Sequence, residues 1–223
     1  MLDTELEKAL IHAFNSPLTG ITGTIDLFLD GTLGVLTAEQ KEYLESIRIS
    51  ARTLADLINE WGIITDIESG EFKLIKSQVP VSELLAEIMP PLISSAQKEE
   101  KNIEVRAADN LSVSADRSLL GRVLGILIKN ALKQVGRKGK VALKVNKVKD
   151  KLSFEVDAAG VSADKALLPH LFEKDFKAAH YEQRAMTGPG LSFYFCRLII
   201  EAHGGSIGAY AIPEGTSYRF TAS

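Results

Sequence analysis

Three features of the sequence predict an α+β fold, a helical hairpin followed by a mixed α/β domain. Apolar residues at Ile11, Phe14, Leu18, Ile21, Ile25 and Phe28 step alternately by three and four, the mark of a helix with a heptad seam. Leu44, Ile47, Ala51, Leu54, Ile58 and Trp61 repeat that rhythm. Around Ser69-Gly70 it gives way to short strand-like runs interleaved with helical ones. Residues 1–69 therefore read as a helical hairpin, and residues 70–223 as a domain with helices on one side of an antiparallel sheet.

The first helix is predicted from about Thr4 to Leu29, ended by Asp30-Gly31, with Gly34 loosening the connection. His12 lies one residue past the seam position Ile11, so its side chain is expected to face solvent beside the apolar stripe. Pro17 has no N–H, so the carbonyl of Ala13 loses its helical partner and the helix is loosened next to the histidine. Taken alone, a lone histidine on such a helix is more often an ordinary surface residue. Thr37 and Gln40 form a capping box that opens the second helix, and Ile49, Leu57 and Ile64 widen its apolar face. The two helices make a hairpin roughly 40 Å long. Such a hairpin cannot cover its own seam, which predicts a homodimer closing a four-helix bundle.

In the second domain Glu71–Lys76 (EFKLIK) reads as a short strand. A helix capped near Ser82 follows, with Leu84, Leu85, Ile88, Leu92 and Ile93 as its apolar face; Pro90-Pro91 is expected to kink or restart it. Strands follow at Ile103–Arg106 and Leu111–Ala115, then a long helix from Asp116 to about Val135. Val141–Val148 and Leu152–Asp157 read as a β-hairpin joined by Lys149-Asp150-Lys151. After a mixed stretch, Ser162–Met186, a helix starts at Gly190-Leu191 and ends at His203-Gly204-Gly205. Strands Ser206–Ala211 and Ser217–Thr221 close the chain.

Forty-five per cent hydrophobic residues are enough for a packed core in a chain of 223 residues. A net charge of −3 gives nucleic-acid binding no electrostatic support. Cys196 is the only cysteine, so no internal disulfide framework exists; its apolar setting, FYFCRLII, suits a buried structural thiol. No run reaches the roughly 20 apolar residues of a membrane span. The acidic N-terminus lacks the basic-then-apolar order of a signal peptide. A cytoplasmic chain without membrane contact is expected, either complete or the cytosolic piece of something longer.

Three places carry chemistry. Asn130 falls on or beside the apolar face formed by Leu119, Leu120, Val123, Leu124 and Leu127. Its amide either bonds neighbouring backbone or offers an oxygen to a hard cation such as Mg²⁺. Lys133, nearly one turn on, can reach a phosphate. Asp157 ends the strand whose Leu152, Phe154 and Val156 alternate inward. It is either a turn aspartate bonded to its own backbone or an acceptor for an adenine amino group. Gly188-Pro189-Gly190-Leu191 precedes a helix, where glycines let backbone N–H groups approach phosphates; the same spacing opens many ordinary helices.

In this order, behind His12 and its hairpin, these residues resemble a sensor histidine kinase catalytic core. That is a dimerising phosphoacceptor hairpin joined to an ATP-binding α/β sandwich of the kind shared with gyrase and the Hsp90 chaperones. The resemblance runs from His12 to Thr221. HAFNSPLTGI is similar to the phosphoacceptor box, with His12 at the phosphorylated position. LTAEQKEYLESIRISARTLADLI and ESGEFKL are similar to the second helix and its exit. Asp116 with Asn130-Ala131-Leu132-Lys133 resembles the asparagine box, Asp157 to Gly160 the first glycine box and Leu171-Phe172-Glu173 the phenylalanine box. Gly188 to Gly190-Leu191 resembles the second glycine box, before EAHGGSI, and Gly215-Thr216 stands where an adenine-contacting threonine is expected.

The departures are specific. Ala13 replaces the acidic residue that usually follows the histidine, and Ser16 stands where threonine or asparagine is usual. Ile126 replaces a polar residue that opens the asparagine box. The first glycine box is one residue short, and Ser192 and Phe193 replace a glycine and a leucine in the second.

The resemblance implies slow ATP-dependent autophosphorylation of His12, then transfer to an aspartate of a response-regulator receiver domain. It implies Mg²⁺ on Asn130, phosphates on Lys133 and the Gly188–Gly190 backbone, and adenine on Asp157 and Thr216, with Gly160 and Leu191 completing the site. Ala13, Ile126 and the short glycine box motivate a rival: an ATP-independent histidine phosphotransferase or a pseudokinase scaffold. An ATPase of the wider fold with no phosphohistidine leaves His12 and its proline without a purpose.

Overall fold

The computed structural model describes residues 4–160, 165–174, 176 and 190–222. The chain divides into two compact units, residues 1–72 and 73–223.

The first unit is a helical hairpin, α1 (Thr4–Leu29) and α2 (Ala38–Ser69). Thr37 caps α2 reciprocally with Gln40, and Gly70 ends it in the left-handed conformation at φ 77°. Ile11, Leu18, Ala51 and Ile58 form its core, with Ala55 and Trp61 packed on them. Asp26 of α1 lies 3.6 Å from Arg48 and 3.8 Å from Arg52 of α2. Only alternate seam residues are covered. Ile11, Leu18 and Ile25, seven apart, are buried, whereas Phe14 and Ile21 between them stay 46 % and 47 % exposed. On α2, Ala51 and Ile58 are buried, and Ile47 and Leu54 stay exposed. Ile49, expected to widen the buried face, is 64 % exposed, unlike Ile64.

The second unit begins with β1 (Ser77–Pro80), not with a strand at Glu71–Lys76. The backbone N–H groups of Glu71 and Phe72 both donate to the carbonyl of Asp66, so this stretch closes α2 instead of joining a sheet. β1 pairs antiparallel with β3 (Ser112–Ala115), apart from the main sheet. Between them lie α3 (Val81–Lys98) and β2 (Asn102–Ala107). α3 runs unbroken through Pro90 and Pro91, so the expected restart does not occur. Both prolines are exposed, and the carbonyls they leave unpaired, on Ala86 and Glu87, belong to exposed residues that water can serve.

After α4 (Arg117–Gln134), the strands β4 (Lys140–Val148) and β5 (Lys151–Ala159) form the expected hairpin. α5 (Leu191–Ala202), β6 (Ile207–Ile212) and β7 (Gly215–Ala222) complete the unit. The main sheet has the order β2-β4-β5-β7-β6. It is mixed and not purely antiparallel, because the chain leaves β2 through β3 and α4 and so returns to β4 in the same direction. Its remaining pairs are antiparallel. Val141, Leu143, Val145, Leu152, Phe154, Val156, Tyr218 and Phe220 are buried on the face that α4 and α5 cover. Phe154 stacks on Phe220 with ring centroids 4.6 Å apart. The opposite face carries charged residues. Among the described residues no helix is long and apolar enough to cross a membrane.

Candidate functional site

On the hairpin, heptad spacing turns Ile11 and Leu18 into the core and leaves His12 exposed on α1. Ala13, Ser16 and Pro17 are exposed with it. The imidazole is therefore open to an approaching electrophile, and its sequence neighbour offers no carboxylate to take up a proton.

In the second unit, the end of α4 meets the end of β5 and the start of β7. A Cβ on Gly160 would come within 2.7 Å of the carbonyl oxygen of Gln134 and 3.1 Å of the Val135 Cα, so only glycine lets the strand end close on the helix end. The Gly160 N–H donates to the carbonyl of Glu214 at 2.8 Å. Gly215 has φ 155°, and a Cβ there would lie 2.0 Å from the carbonyl oxygen of Ala158. Thr216 is fully buried and pairs with Ala158 across β5 and β7. On α4 the Asn130 amide donates to the carbonyl of Ile126 at 2.8 Å, the backbone bond of the simpler expectation, and that bond does not use the side-chain oxygen of Asn130. Lys133 is exposed. At the start of α5, Gly190 caps the helix with φ 81° and Leu191 is half-buried. Gly188 lies outside the described residues. Asn130, Gly160, Thr216, Gly190 and Leu191 thus stand on elements that pack together.

Asp157 does not join them. Strand alternation sends Leu152, Phe154, Val156 and Ala158 toward the helices, and Asp157 to the opposite face. There its carboxylate accepts from the Lys144 ammonium at 2.7 Å and shares a groove with Glu104, Arg106, Lys140 and Arg219. Asp157, expected to contact adenine, thus stands on the face of the sheet away from the other expected site residues. The inward residue at that end of the strand is Ala158, which has no acceptor in its side chain.

Two residues not singled out from the sequence stand nearby, Gln134 half-buried and Tyr218 in the interior. Gln134, one turn beyond Asn130, donates its side-chain N–H to the hydroxyl of Tyr218. Tyr218 is fully buried, and burial pushes its phenol above its ordinary range. Phe193 at the start of α5 packs on Tyr218 at 5.6 Å and edge-on against Phe172 at 5.3 Å. The inward parity of Tyr218 with Phe220 and the four-residue step from Asn130 to Gln134 were the signals that could have found them.

Two family models match the chain, the His Kinase A phospho-acceptor domain over residues 4–70 and the histidine kinase-, DNA gyrase B- and HSP90-like ATPase over residues 115–223. The chain belongs to the histidine kinase family. RpfC, a sensory/regulatory protein of Xanthomonas campestris pv. campestris, is 30 % identical over 94 % of this histidine kinase chain and 30 % of its own length. The circadian input-output histidine kinase CikA of Synechocystis is 29 % identical over 98 % of this chain and 30 % of its own. The sensor protein KdpD of Clostridium acetobutylicum is 28 % identical over 93 % of this chain and 23 % of its own. The chain thus spans less than a third of these curated relatives. The crystal structure of full-length ShkA in complex with AMPPNP shares the fold, with a TM-score of 0.76 and 23 % identity over 99 % of this chain and 46 % of that one. The catalytic domain of histidine kinase ThkA aligns over 66 % of this chain and 97 % of its own, with a TM-score of 0.59 and 24 % identity.

Proposed function

We propose that this chain binds ATP in its second unit and autophosphorylates His12. The observation that carries the proposal is the exposure of His12 beside the covered stripe of α1, in a chain of this family. A neutral imidazole nitrogen attacks the γ-phosphorus of ATP. The bond to the β,γ-bridging oxygen breaks, ADP leaves, and the imidazole proton passes to water because Ala13 cannot take it. Such transfer is chiefly positioning and electrostatic stabilisation.

Asn130 would hold Mg²⁺ through its side-chain oxygen, a hard donor that suits this cation, and the bound metal would neutralise phosphate charge. Lys133, and the backbone at Gly188 and Gly190, are assigned to the phosphates. Thr216, Gly160 and Leu191 are assigned to the walls of the base pocket. The phosphoryl group then passes to an aspartate of a response-regulator receiver domain. The half-covered seam favours a homodimer in which Phe14, Ile21, Ile47 and Leu54 of two copies close a four-helix bundle.

Titration of the full chain with Mg-ATP by calorimetry tests the proposal. Saturable binding is expected, and no binding at millimolar nucleotide contradicts it. The second reading, an ATP-independent phosphotransfer module or scaffold, is favoured by one observation, the outward turn of Asp157 that leaves Ala158 at the inner position. It requires the negative result of the same titration.

A further inference from the structure

We propose that Gln134, and not Asp157, reads the base of the bound nucleotide, its side-chain oxygen accepting a hydrogen bond from the adenine amino group. The inference rests on the ATP-binding reading above and deepens it.

A pocket that selects adenine needs an acceptor for the exocyclic amino group, and a strand-end carboxylate is the obvious candidate. Here that carboxylate lies on the far face of the sheet, its Oδ2 on Lys144 at 2.7 Å and its Oδ1 buried without a hydrogen-bond partner among the described residues, so neither oxygen faces the end of α4. The inner position holds the methyl of Ala158. Thr216, opposite Ala158, is itself hydrogen-bonded or otherwise engaged.

Gln134 has what the strand lacks. One end of its carboxamide is fixed, since its N–H donates to the buried hydroxyl of Tyr218. The other end, Oε1, is buried and has no hydrogen-bond partner among the described residues. A buried acceptor left unmatched is destabilising, so a donor that reaches it recovers that cost on binding. The backbone oxygen of the same residue abuts Gly160, which sets Gln134 against the end of β5, beside Ala158 and Thr216. A base with an amino group at the six position matches Oε1. A base with a carbonyl there sets acceptor against acceptor.

The test is the ratio of affinities for Mg-ATP and Mg-ITP, which differ at that position, measured by calorimetry on the full chain. Comparing two ligands on one protein separates recognition from folding. The wild type is expected to prefer ATP by about tenfold or more, in line with one matched buried acceptor. In Gln134→Leu the preference is expected to fall to near unity, with weaker ATP binding. Gln134→Glu keeps an acceptor and should keep the preference. Asp157→Asn should leave the ratio unchanged. A ratio preserved in Gln134→Leu, or abolished in Asp157→Asn, overturns the proposal. Equal wild-type binding of both nucleotides overturns this inference and leaves the ATP-binding reading standing. Binding of neither removes both.

Discussion

His203 joins α4 to α5 through two hydrogen bonds and is fully buried. Its Nδ1–H donates to the carbonyl of Ile199 at 2.8 Å, and its Nε2 accepts the Asp116 N–H at 2.9 Å. Both bonds need the neutral ring, because a proton on Nε2 would face another N–H. Desolvation by burial pushes the ring below its ordinary 6.5, the Ile199 carbonyl and Asp116 pull the other way, and Lys76 adds to the lowering. A base with a lowered folded pKa contributes stability that is fully present above its unfolded pKa and drains as pH falls through the folded one. The unfolded chain takes the proton first. The unfolding free energy from urea titration is therefore expected to fall as pH drops below about 6.5, by up to ~1.4 kcal/mol per pH unit for this proton. His203→Phe should be less stable at pH 7.5 yet lose that part of the slope. An unchanged slope would mean that another group sets it. Asp157 belongs at this scale too. It is a partly exposed ion-pair partner of Lys144, so Asp157→Asn should cost about 1 kcal/mol or less in chemical denaturation. The sequence already held its orientation. Leu152, Phe154 and Val156 were assigned inward, and the same parity points Ala158 in and Asp157 out. The strand's period of two sets that orientation.

Among the elements, the hairpin was the most legible, because a 3.6-residue period over α1 and α2 leaves little room for another reading. The division of its seam was not legible. Which of Ile11 and Phe14 faces the sister helix depends on how the two helices are rotated, and single-helix periodicity does not fix that. The division separates two kinds of substitution. Ile21→Asp changes the exposed half and is expected to give a folded monomer, seen as halved mass in light scattering with helical circular dichroism retained. Leu18→Ala opens a cavity in the covered half and should cost about 2–5 kcal/mol of stability. A dimer surviving Ile21→Asp would contradict the assignment of the exposed stripe. The short strands were the least legible elements. β1 and β3 are four residues each and exist only through mutual pairing across α3 and β2, contacts with no local signature. β7 shows how tightly register can be set. At Gly215 both φ 155° and the Ala158 carbonyl oxygen exclude a Cβ, so Gly215→Ala should destabilise the second unit by more than about 2 kcal/mol in thermal melts.

At the scale of the whole molecule, the chain combines a phospho-acceptor hairpin and an ATPase-type unit, each with its own core. That order was readable because His12, Asn130, Gly160, Gly190 and Thr216 stand along the chain in the order the resemblance implies, even where single motifs depart from its pattern. The interior detail was not readable. The orphaned oxygen of Gln134 arises from a bond to Tyr218, 84 residues away, and no local pattern announces it. The missing acidic neighbour of His12 sets the expected pace, since general-base assistance is typically worth 10²- to 10⁴-fold. The decisive measurement is incubation of the full chain with Mg²⁺ and γ-labelled ATP, followed by mapping of the labelled peptide. Slow, acid-labile label on the peptide containing His12, absent from His12→Ala, is the expected result. Label that persists in His12→Ala, or none after prolonged incubation of a protein that binds ATP, would contradict the account.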